Sequence, residues 1–183
     1  MSVDASAWLV VIDPQHVFAD PASPWGSPFF DDAMERIQRL AATHRDRVLV
    51  TRWVPTADRA TSWGAYFQAW PFADKPETDP LFALVPAAGG LTSRPTIDRP
   101  SFGKFSPELL AVTGHAPRLV LCGVSTDCCV ISTALAAADA GAYVTVVTDA
   151  CAGSTQANHD AAVQVMSLYE PQITLTDTAA LVG

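Results

Sequence analysis

Three places in this 183-residue chain carry residue types whose setting could do chemistry. Asp13 stands directly after the apolar run Trp8-Leu9-Val10-Val11-Ile12, where an unpaired carboxylate is expensive to bury. It reads as a general base, or equally as a helix cap or ion-pair partner in the loop. The stretch Gly123-Val124-Ser125-Thr126-Asp127-Cys128-Cys129-Val130 follows another apolar run and opens a helix. A cysteine in that first turn would feel the positive helix end, which favours thiolate over thiol. The free N–H groups of the turn can hold an oxyanion. The alternative is that both cysteines are buried small hydrophobes. Lys104 lies between Phe102 and Phe105, either held against a site or snorkelling to solvent.

The elements that must position these residues follow from periodicity. Trp8 to Ile12, Val48 to Val50 with Trp53, Thr96 to Asp98, Arg118 to Cys122, Tyr143 to Thr148 and Gln172 to Leu175 read as strands. Amphipathic spacing predicts helices opening at Asp31 or Asp32 with acidic caps, from Ser62 to Trp70, from Ser106-Pro107, from Asp127 to Ala140 and from Gln156 to Leu168. In the last of these, Ala161, Ala162, Val165, Met166 and Tyr169 form the apolar face. Strands alternating with helices imply an α/β, doubly wound three-layer sandwich: a mostly parallel six-stranded sheet with helices on both faces. The whole chain, residues 1–183, is expected to be one domain. Ligands in such sheets bind beyond the carboxyl ends of the strands, which selects Asp13 to Phe18, Arg52 to Thr56, Gly123 to Cys129 and Asp149 to Ser154.

Composition narrows the function classes. A formal net charge of −8 and the lack of a basic run argue against nucleic acid as a partner. No apolar stretch is long enough to span a bilayer, and Met1 to Val11 has no signal-peptide pattern. A cytoplasmic protein with free thiols is therefore expected. Cys122, Cys128, Cys129 and Cys151 form no CxxC pair and have no histidine at zinc-finger spacing. His16, His44, His115 and His159 show no ligand spacing, so neither metal nor cofactor is expected. His44 and His115 read as surface residues, His159 as a packing or capping residue, and His16 as a neighbour of the site or a bystander.

Taken together, Asp13-Pro14-Gln15-His16-Val17-Phe18, Lys104 in its aromatic loop, and Gly-Val-x-Thr-Asp-x-Cys-Val over Gly123 to Val130 resemble the isochorismatase-like cysteine hydrolases. The resemblance extends from Trp8 to Leu175 and includes Thr148 to Ala152 and His159. It implies Cys129 as nucleophile, Asp13 as the base that takes the thiol proton, and Lys104 as the cation holding both. It also implies an oxyanion hole from the N–H groups of Ser125 and Cys129, a cis peptide at Val124–Ser125, and a homo-oligomer (dimer or larger). Cys128 fills the variable place before the nucleophile. One helical residue rotates a side chain by about 100°, so Cys128 is expected to face away as packing.

The departures are informative. Nicotinamidases of this family carry a metal-binding Asp and two His after the second strand, whereas Thr51 to Arg59 here contains no histidine. The resemblance also implies that true isochorismatases cleave a vinyl ether without needing the cysteine. A retained Cys129 therefore points to attack on the acyl carbon of a small amide or ureide. A vinyl-ether hydrolase and a non-catalytic small-molecule-binding member remain the alternatives. Phe18, Trp25, Trp53 and Phe102 are expected to bind substrate, with Trp63, Tyr66, Phe67 and Trp70 shaping the pocket or packing beneath it. Arg52 binds a substrate carboxylate or, more simply, pairs with an aspartate.

Overall fold

A computed structural model describes residues 6–182. Met1 to Ala5, part of the N-terminal stretch considered above, and Gly183 lie outside the described residues. In chain order the principal elements are β1 (Trp8–Ile12), α1 (His16–Ala19), α2 (Phe30–His44), β2 (Val48–Trp53), α3 (Ser62–Ala69), β3 (Ile97–Arg99), α4 (Pro107–Thr113), β4 (Arg118–Val124), α5 (Ile131–Asp139), β5 (Tyr143–Ala152), α6 (Gln156–Ser167), β6 (Ile173–Thr176) and α7 (Thr178–Val182). The six strands form one sheet in the order β3-β2-β1-β4-β5-β6, and every pairing is parallel. Winding runs outward from β1 to β3, then restarts at β4 on the other side. With right-handed crossovers this reversal puts helices on both faces: α2 packs with α7, and α5 with α6. Covered on both faces, β1 is buried at all five positions, which is why it reads as an unbroken apolar run rather than an alternating one.

The reversal opens a crevice between the carboxyl ends of β1 and β4, the place where doubly wound sheets bind ligands. Ile12 is paired with Gly123 there. Gly123 has φ +115°, and a Cβ on it would collide with the Ile12 carbonyl. Glycine is thus what lets the end of β4 lie against the end of β1. Left-handed strain costs ~1–3 kcal/mol and overpacking ~1–3 kcal/mol. Gly123→Ala is therefore expected to destabilise the fold by roughly 2–6 kcal/mol, read as a lowered urea midpoint. An unchanged midpoint would contradict this account of the crevice.

Several local expectations need correction. Helix α2 starts one residue before Asp31; its N-cap is Phe29, without a side-chain cap, and Asp31 and Asp32 sit inside the first turn, where they complement the helix dipole. Strand β5 continues beyond Thr148 to Ala152 through a bulge: its register on β4 jumps from Leu121↔Val146 to Gly123↔Cys151. On α6 only Ala162 and Met166 are buried, while Ala161, Val165 and Tyr169 face solvent. His44 is not a surface residue. It is 5% exposed, and its Nδ1 lies 2.7 Å from the Leu40 carbonyl one turn earlier. Burial holds its pKa below the ordinary imidazole value.

Candidate active site

The loop after β1 places Asp13 in a left-handed conformation, φ 50°, which aspartate tolerates better than most residues. Its carboxylate is 0% exposed. The Thr51 hydroxyl donates to Oδ1 at 2.7 Å, and the Thr51 Oγ1 accepts the Asp13 backbone N–H at 3.2 Å. Lys104, also 0% exposed, brings Nζ to 3.2 Å from Oδ2 and donates to the Ser101 carbonyl at 2.8 Å. Beyond that ion pair Oδ2 has no hydrogen-bond partner among the described residues, so it retains the capacity to accept a proton. Burial pushes the Asp13 carboxyl above the usual range; Lys104, the Thr51 hydroxyl and the neighbouring Cys129 thiol pull against it.

Cys129 comes from the turn that follows β4. The Val124–Ser125 peptide is cis, as the resemblance implied. Residues Thr126–Val130 then form a wide π-type turn before α5 begins, with the Val130 N–H reaching the Ser125 carbonyl five residues back. Such turns are rare and recur at functional sites. Side chains on both flanks hold this one. The Thr133 hydroxyl donates to the Cys129 carbonyl at 2.7 Å and accepts the Lys104 N–H at 2.9 Å, so one side chain ties the lysine loop to the cysteine turn. On the other flank Asp127 accepts the Ser154 N–H at 2.8 Å and its hydroxyl at 2.7 Å. Thr126 Oγ1 pairs with His159 Nδ1 at 2.9 Å. Asp127 thereby binds the loop after β5, and Thr126 binds the first turn of α6.

Cys128 does not turn away. It borders the same cavity as Cys129, because the wide turn departs from the α-helical rotation on which the expectation rested. The neighbouring Cys129 thiol pulls the Cys128 pKa below the ordinary thiol value. For Cys129 the neighbouring Cys128 thiol, burial and the adjacent Asp13 charge all push the pKa up, and only Lys104 opposes them. Cys129 is consequently held as a thiol rather than as the standing thiolate that a helix N-terminus would favour. It needs a base, and Asp13 lies beside it.

Above the cysteine lies a cavity of about 270 Å³ whose lining includes Phe18, Trp25, Trp53, Tyr66, Trp70 and Phe102, together with Ser125, Asp127, Cys128, Cys129 and Ser154. Trp25 is the hub of the aromatic wall. It packs edge-on against Trp53 (5.4 Å), Trp70 (5.8 Å) and Phe72 (4.8 Å), and stacks on Phe18 (6.2 Å). All four aromatics assigned to substrate from the sequence border this cavity. Phe67 instead packs in the core. Arg52 pairs with Asp98 through two hydrogen bonds and does not border the cavity; His16 is likewise absent from its lining.

Three positioning residues went unassigned in the sequence: Thr51, Thr133 and Gln15. Gln15 is 0% exposed. Its amide donates to the carbonyls of Trp53 (2.9 Å) and Phe82 (2.7 Å) and accepts the Trp53 N–H (2.8 Å), fixing the loop after β1 against the end of β2. Its place in the Asp-x-Gln-x-x-Phe stretch was the available signal. Among the described residues no group of three or more His, Cys, Asp or Glu side chains is arranged to hold a metal ion. No helix there is long and apolar enough to cross a membrane.

Known structures share this architecture. A cysteine hydrolase from Pseudomonas syringae pv. phaseolicola is 19% identical, covering 98% of this chain and 92% of its own, with a TM-score of 0.82. An isochorismatase family protein from Desulfovibrio vulgaris is 21% identical, covering 97% and 96%, also at 0.82. An isochorismatase from Pseudomonas putida is 21% identical, covering 99% and 93%, at 0.73. At such identities the likeness is one of fold. The family follows from the sequence model for the isochorismatase domain, which matches residues 7–179 and so takes in Asp13, Lys104 and Cys129 alike: the chain belongs to the isochorismatase family of hydrolases.

Proposed function

We propose that the protein is a metal-independent cysteine hydrolase that cleaves the C–N bond of a small amide or ureide through an acyl-enzyme on Cys129. The observation that carries this reading is the buried Asp13–Lys104 pair beside a cysteine at the floor of an aromatic cavity. A buried ion pair of this kind is a poor device for stability, and its one unsatisfied carboxylate oxygen adjoins a thiol that cannot ionise unaided.

Asp13 takes the Cys129 proton as sulfur attacks the acyl carbon, and the N–H groups of Ser125 and Cys129 receive the developing oxyanion. Collapse breaks the C–N bond, with the proton on Asp13 passing to the leaving nitrogen. Water then gives a proton to Asp13 while its oxygen attacks the thioester. The C–S bond breaks, the acid leaves, and the proton returns to sulfur. Lys104 keeps Asp13 anionic between turnovers. Phe18, Trp25, Trp53 and Phe102 orient the substrate.

An amine- or ammonia-release screen over small carboxamides and ureides tests this. Turnover is expected, undiminished by a chelator, with an acid limb above the ordinary carboxylate range because Asp13 must be ionised to accept the proton and burial raises its pKa. Failure of the whole panel, together with vinyl-ether cleavage that Cys129→Ala leaves intact, would overturn the reading.

A further inference from the structure

The charges around the cavity narrow the substrate class, on the footing that this cavity is the hydrolase site just proposed. Among the described residues, Asp127 is the one charged side chain in its lining, which contains no Lys, Arg or His. The cations nearby are committed elsewhere. Lys104 is sealed against Asp13 and the Ser101 carbonyl, Arg52 is paired with Asp98, and Arg59 is paired with Asp74 and lies over the Phe67 ring. The Asp13–Lys104 pair is neutral as a unit, so Asp127 sets the sign of the field.

An anionic substrate would have to shed its water facing a carboxylate, with no cation to receive it. A cation meets the opposite situation. Each Asp127 oxygen accepts one hydrogen bond from Ser154, which leaves a lone pair on each for a further donor. Trp25 and Trp70 border the cavity, and tryptophan rings attract cations through their negative π density. The volume, near 270 Å³, lies at or just below the small end of ligand pockets.

We propose that the substrate is a compact, flat amide or ureide that bears no anionic group and turns an amine or other cationic nitrogen towards Asp127. Dicarboxylates are thereby excluded.

Binding of benzylamine, benzyl alcohol and benzoate to the intact protein, read by quenching of its tryptophan fluorescence near neutral pH and low salt, tests the charge preference without requiring turnover. Benzylamine should bind at least about tenfold more tightly than benzoate, with benzyl alcohol between them. In folded Asp127→Asn that ratio should shrink towards one. Benzoate binding as well as benzylamine, or a ratio unchanged in Asp127→Asn, would overturn the proposal. The ranking in the unaltered protein is decisive by itself, so a variant that fails to fold does not shelter it. Turnover of amides with the ranking reversed removes this proposal and leaves the hydrolase standing. The ranking upheld without any amide turnover does the opposite.

Discussion

Cys129→Ser should lose about 10⁴- to 10⁶-fold in kcat/KM on the amide or ureide substrate, the range seen when a covalent nucleophile is removed and only oxyanion contacts and binding remain. The serine hydroxyl is a far weaker acid than the thiol, and Asp13, a carboxylate, is too weak a base to ionise it. The fold should persist, because sulfur and oxygen differ little in size and Cys129 makes no bond across the sheet. Cys128→Ser, although in the same cavity, should cost about tenfold or less, the scale of one neutral hydrogen bond. Steady-state kinetics on the two variants measure both. Equal losses would mean that the nucleophile is misassigned; near-normal activity in Cys129→Ser would point to vinyl-ether chemistry.

Lys104→Met is expected to have a large, pH-dependent effect on stability. It leaves the Asp13 carboxylate buried and stripped of its cation, a situation worth about 3–5 kcal/mol. For a chain of this length that corresponds to a Tm lower by roughly 6–20 °C. The effect has a definite pH sign. Burial already raises the Asp13 pKa above its unfolded value, so the native state binds its proton more readily, and stability falls as pH rises through the native pKa. Without Lys104 that pKa rises further. The gap between wild type and variant should therefore widen with increasing pH and close towards acid, where Asp13 is neutral in both. Activity should vanish alongside, since a protonated Asp13 cannot accept the thiol proton. Thermal melts across a pH series, with a deficit that does not change with pH, would show that Lys104 contributes packing rather than charge.

What could be read in advance divides along physical lines. Strand β1 was legible because burial on both faces removes every polar residue from it, so that Asp13 stands out at its end. The cysteine turn was legible through an eight-residue pattern. The hydroxyls that complete the site were not: Thr51 meets Asp13 across 38 positions and Thr133 meets Lys104 across 29, and nothing local distinguishes them from other threonines. The geometry of Cys128 was missed for a different reason. Side-chain rotation along a helix is inferred from the α period, and here the chain departs from that period over Thr126–Val130. His44 misled because its Nδ1 finds a partner on its own helix while Nε2 is buried without one among the described residues, so a polar residue near a helix end goes under the surface. The fold, set by alternating elements, tolerated all of these misreadings.

The most direct test of the covalent mechanism is intact-mass measurement on enzyme quenched with acid during turnover of a slow amide or ureide substrate. The account predicts a transient mass increase equal to the acyl fragment, mapped by proteolysis to Cys129 and absent in Cys129→Ser. Sustained turnover with no adduct at any quench time, and a comparable rate in Cys129→Ser, would contradict it.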